Sequence, residues 1–157
     1  MALSQSKLAS ELLVIAQSHP ASEAAAISDF ADAFHNYMVE STVAGVPMVA
    51  SLGLAAKALM IAAMTGLNTA SAAAIQAGVL AYWGGLNVAG VWGPTITPTT
   101  PPAGASGLAA ALTTVFATNT SGKLDETAST NAIAAAWHPT MLGGLATLPG
   151  PTPTAIL

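Results

Sequence analysis

The chain has 157 residues, 53% hydrophobic and 6% charged, with three Lys, no Arg, seven acids, no Cys and a formal net charge of −4. Ordinary globular chains carry about 25% charged residues, so the deficit is roughly fourfold. The length suits one domain with a core of its own. Without Arg, and with Lys7, Lys57 and Lys123 as scattered cations, the chain lacks the means to neutralise phosphates or read base edges, which argues against nucleic acid as a partner.

The absence of Cys removes disulfides and thiolate metal sites. Residues Met1 to Gln17 include Lys7 and Glu11 and lack an uninterrupted apolar run, so no secretory signal is expected there and synthesis in a cytoplasm is.

In chain order, Ser4 to Ser18 predicts a short amphipathic helix with Leu8, Leu12 and Leu13 near one face, stopped by His19-Pro20 because a residue before Pro is pushed out of the helical region. Ser22 is a good N-cap and Glu23 a favourable first-turn acid for a second helix running to about Glu40. On it Ile27, Phe30, Phe34, Tyr37 and Met38 share a face, with Asp29, Asp32 and Asn36 largely off it.

Gly45-Val46-Pro47 breaks the chain before a third helix, about Met48 to Met64, apolar around most of its circumference. A Gly66-to-Thr69 turn leads to a fourth, about Ala70 to Leu86, capped by Ser71 or Thr69. Its Ala74, Gly78 and Ala81 form a strip that permits close backbone approach. From Ala58 to Gly122 there is no charged side chain. A water-facing helix carries charges on its outer face, so much of this surface is expected to meet protein or lipid.

Gly93 to Gly107 is rich in Pro and Thr and predicts an extended, polyproline-like arm or crossover with few internal hydrogen bonds. A fifth helix, about Leu108 to Ala117, stops at the Asn119-to-Gly122 cluster. A sixth runs from about Leu124 or Asp125 to Trp137 and is expected to be ended by Pro139. The tail, Met141 to Leu157, has Gly143-Gly144 and three Pro.

The predicted fold is all-α: a bundle of five or six short helices with Pro/Thr-rich extended arms. It divides into an N-terminal helical part (1–92), the arm or crossover (93–107), two further helices of the same domain (108–138) and a C-terminal arm (139–157).

No nucleophile elbow, phosphate loop, dinucleotide fingerprint or zinc-protease motif is present, so neither a reaction nor a cofactor is indicated. His19, His35 and His138 have no helical metal spacing. His19 and His138 each precede Pro, where an imidazole can serve terminal helix carbonyls. Asp29, Asp32 and His35 lie three apart, but successive threes drift around a helix and the group reads as a solvated face. Trp83, Trp92 and Trp137 serve equally as core or as interface anchors.

The composition fits a helical subunit covered by other chains, since obligate interfaces resemble a domain core. The residues expected at such an interface are Leu59, Ala74, Gly78, Trp83, Trp92, Trp137 and Leu157, with both arms bridging neighbours.

The stretch Ser22 to Phe34, the Tyr82-Trp83-Gly84 run and the Pro-rich end resemble small Ala/Gly/Thr-rich phage virion structural proteins. The resemblance implies a non-enzymatic component of a virion neck, tail or head surface, or of a tail-like particle, whose partners are itself and other particle proteins. It implies no functional residues.

The alternative is a small membrane protein such as a holin-like pore former. Val46 to Met64 approaches the roughly 20 apolar residues of a span, but Lys57 near its middle costs about 2.5 to 3.5 kcal/mol on insertion scales.

Overall fold

The computed structural model describes residues 3–65, 67, 71–86, 91–93, 97–120, 125–143, 145–147 and 153–157. Gly66, Asn68, Thr69, Gly122, Lys123, Gly144, residues 94–96 of the first arm and residues 148–152 of the tail, on which several expectations fall, lie outside them.

The chain is mostly helical: α1 Gln5–Ser18, α2 Glu23–Val39, α3 Ala50–Met64, α4 Ala72–Gly85, α5 Leu108–Thr120 and α6 Glu126–Met141. Local chemistry starts four of these helices. The Ser4, Ser22 and Ser71 hydroxyls accept from the backbone N–H of Lys7, Ala25 and Ala74, and the Asp125 carboxylate accepts from Ala128 N–H at 2.7 Å. Each satisfies a donor that the first turn leaves without an intrahelical partner. α5 starts after a short 3₁₀ segment, Ala103–Gly107. Its Ala109 N–H donates to the Gln76 side chain of α4 at 2.8 Å, so a neighbouring helix caps it.

His19 closes α1 in the left-handed region, at φ 45°, ahead of Pro20. Pro139 does not end α6; it lies inside it. Trp137 and Met141, both fully buried, hold this last turn against the core. The proline ring removes the N–H that would donate to the Ala135 carbonyl, and Ala135 is an exposed residue.

The core joins α2, α4 and α6. Phe34 stacks on Trp137 with ring centroids 5.4 Å apart and meets Tyr82 edge-on at 5.0 Å, while Phe30 stacks on the same indole at 6.4 Å. Outside this column, α3 and α4 form the most extensive helix pair. Glycine sets their approach: a Cβ on Gly85 would stand 2.6 Å from the Ala56 Cα, and one on Gly78 2.7 Å from the Met64 Cγ. The strip around Ala74 and Gly78 therefore receives α3 of the same chain.

The arms differ from the sequence expectation. Thr97–Thr100 (β3) of the first arm pairs antiparallel with Leu145–Thr147 (β4) of the second, and β4 pairs with Pro153–Ala155 (β5). Earlier in the chain Thr42–Val43 (β1) and Val46–Pro47 (β2) make a hairpin, turned by Ala44 at φ 49° and Gly45 at φ 82°. Glycine enters that left-handed conformation without a Cβ clash.

The tail then closes onto the hairpin. Thr42 N–H donates to the Leu157 carbonyl at 2.7 Å, and Leu157 N–H donates to the Thr42 carbonyl at 2.9 Å. Where described, both arms are folded onto their own chain, because their backbone groups gain partners in the sheet that a free polyproline-like arm lacks.

Candidate functional site

Two features carry more chemistry than packing alone requires: a set of buried polar pairs around α2, and an apolar face turned outward on α3 and α4.

α2 is tied on two sides by imidazole–phenol hydrogen bonds. His35 Nδ1 and the Tyr82 hydroxyl of α4 are 2.8 Å apart in the interior, and Tyr37 Oη and His138 Nδ1 of α6 are 2.8 Å apart at a partly buried position. Burial holds both imidazoles below the usual histidine range, and for His35 the nearby Lys57 adds to the effect while Asp32 opposes it. Burial also pushes both phenols well above their ordinary range, so each pair is neutral at physiological pH. His138 therefore reaches across to α2 instead of serving the carbonyls of its own helix end.

The Asp29, Asp32 and His35 set is divided. His35 turns inward, whereas the Asp32 carboxylate pairs with Lys57 of α3 at 2.5 Å and is half exposed. Among the described residues no group of three or more His, Cys, Asp or Glu is placed to hold a metal ion. A groove between α1 and α2, about 230 Å³ and lined by Glu11, Asp29, Asp32 and Asn36 among others, is open to solvent. It is smaller than the roughly 300 Å³ at which small-molecule pockets begin.

Of the residues expected at an interface, five are used inside the chain. Ala74, Gly78, Trp83, Trp92 and Trp137 are buried, and the Trp92 indole N–H donates to Ser41 Oγ at 3.1 Å. Leu59 and Leu157 remain outside, 49% and 55% exposed. Sequence patterning alone does not separate the two sets, since alanine, glycine and tryptophan suit either kind of burial.

Leu59 belongs to a larger surface that hydrophobic periodicity alone does not resolve into residues. On α3, Gly53, Ala56, Met60 and Met64 face inward, and Lys57 leans to Asp32 of α2. The opposite arc is formed by Leu52, Leu54, Ala55, Ala58, Leu59 and Ala62, all exposed. Leu52 and Leu54 are 41% and 52% accessible. Ser51 is the main polar break in that arc, and Ala73, Leu80 and Gly84 continue the surface on α4.

Such a face would be polar in a helix that merely met water. α3 has two apolar faces, and among the described residues α2 and α4 cover only one of them. In comparisons with protein-family models, curated proteins and solved structures, no match to this chain is found.

Proposed function

We propose that this chain is a non-enzymatic structural subunit of a larger protein assembly, which it joins by burying the outward face of α3. The observation behind this reading is that face itself: large aliphatic side chains about half exposed, on a helix whose one charge is engaged by α2. Contiguous exposed apolar surface marks an interaction site, because covering it removes it from water at about 25 cal/mol per Å².

The finer reading, a component of a phage virion or tail-like particle, rests on the resemblance of Ser22 to Phe34, Tyr82-Trp83-Gly84 and the Pro-rich end to such proteins. No helix among the described residues is long and apolar enough to cross a membrane. α3, at 15 residues, is about 22 Å long against a hydrocarbon core of about 30 Å.

Fractionation of cells that produce the chain tests the reading. It should sediment with a proteinaceous particle in many copies and be released from membranes by alkaline carbonate. Recovery only as a free single copy, or retention in the carbonate-washed membrane, would overturn it.

A further inference from the structure

We infer that the occupant of the α3 face is a second copy of the same chain, docked by antiparallel, two-fold pairing of α3 with its counterpart. The inference rests on the assembly reading above and names its first contact.

Charge is the first argument. The described charged residues are Lys7 and Glu11 on α1, Glu23, Asp29, Asp32 and Glu40 at α2, Lys57 on the flank of α3, and Asp125 and Glu126 at the start of α6. None lies on the outward arc of α3 or on α4. A chain of net charge −4 repels its own copies over most orientations. Apposing the α3 faces keeps the acids of both copies away from the contact and buries no unpaired charge on either side. A charged partner would lose hydration here without gaining a counter-ion. An anionic lipid surface would call for Lys or Arg flanking the apolar strip, and Lys57 is already paired with Asp32.

Shape is the second. Ala55, Ala58 and Ala62 run along the middle of the arc at spacings of three and four, with Leu52 and Leu59 along one border and Leu54 along the other. A small-residue ridge flanked by leucines is self-complementary under a two-fold axis. The leucines of one copy fill the shallow track over the alanines of the other, at a helix separation at or below the usual 8 to 10 Å.

Area sets the strength. α3 and α4 together present a footprint of roughly 450 Å², from a length of about 22 Å and a width of about 20 Å. A stable pair buries about 800 Å² on each partner. The isolated contact is therefore weak, and becomes durable where other contacts of an assembly hold the two copies together.

Sedimentation-velocity ultracentrifugation over a rising concentration series tests the pairing. The wild-type chain should pass from monomer to dimer in the micromolar-to-millimolar range expected of an interface this small. Leu59→Lys should weaken dimerisation at least about tenfold with an unchanged circular dichroism spectrum. The natural chain has no Cys, so a single Ala58→Cys near the axis gives a second readout. Oxidation should link it as a homodimer, whereas Ser10→Cys on the exposed side of α1 should not link.

Dimerisation that survives Leu59→Lys, or cross-linking at Ser10→Cys equal to that at Ala58→Cys, would overturn the α3 pairing. A strictly monomeric wild type that nevertheless enters particles would overturn the second-copy inference and leave the assembly reading standing, with a different chain on the face.

Discussion

Two imidazole–phenol pairs fasten α2 between α4 and α6, and each is a single hydrogen bond in surroundings that disfavour charge. Tyr82→Phe leaves His35 Nδ1 without its partner in the interior, at a cost of about 1 to 3 kcal/mol. The measurement is the urea midpoint near pH 8, with the slope of the transition unchanged. Both imidazoles have folded-state pKa values below their ordinary value. The unfolded chain therefore takes up protons first as pH falls, so stability is full above the unfolded histidine pKa of about 6.5 and is lost as pH drops from there through the folded values. Asp32 and Lys57 face His35 from α2 and α3 with opposing effects, and leave the sign set by burial. Urea midpoints should fall between about pH 8 and about pH 5, and His35→Gln combined with His138→Gln should flatten that dependence. A slope that persists in the double variant would assign it to the carboxylates.

At the level of elements, the α3/α4 pair depends on Gly85, whose neighbour Gly84 has the opposite surroundings. A Cβ on Gly85 would meet backbone, the Ala56 Cα at 2.6 Å, whereas one on Gly84 meets nothing within 4 Å. Gly85→Ala should destabilise by about 1 to 3 kcal/mol, since the two helices must separate to admit the methyl group. Gly84→Ala, one residue away, should be neutral or stabilise by up to about 1 kcal/mol through helix propensity. Thermal unfolding of the two variants side by side gives the comparison, and equal effects would mean that α3 and α4 do not approach as closely as described. Pro139 makes a related point on α6. A proline that should stop a helix is carried into its last turn because Trp137 and Met141 on either side of it are buried.

Across the whole molecule, the C-terminal residues act as a clasp. Ile156 is fully buried and bridges Val43, while Leu157 exchanges two backbone hydrogen bonds with Thr42. The clasp joins the end of the chain to the hairpin between α2 and α3, and the Val49 N–H at the head of α3 is held by the Val91 carbonyl at 2.7 Å. Ile156→Ala should therefore cost about 2 to 5 kcal/mol despite its place at the end of the chain. The check is the denaturation midpoint. A loss below about 0.5 kcal/mol, the range of an ordinary surface change, would show that the tail is not part of the folded unit.

The sequence carries the local start and stop signals of most of the helices, though not the end of α6. Ser22, Ser71, Asp125 and the His19-Pro20 stop act within a few residues of where they stand, and local hydrogen bonding needs no distant partner to be read. It also determined that the middle of the chain lacks charge, and hence that water alone is a poor neighbour for it. How the chain folds back on itself settles which apolar residues stay outside. Ala74, Gly78, Trp83 and Trp92 are as uncharged as Leu59, but they are buried within the chain whereas Leu59 is 49% exposed. The arms were decided in the same way. Their pairing joins segments more than forty residues apart, and strand partners that distant leave no periodic mark on either segment alone. Burial is a relation between distant residues, whereas capping and charge are properties of neighbours.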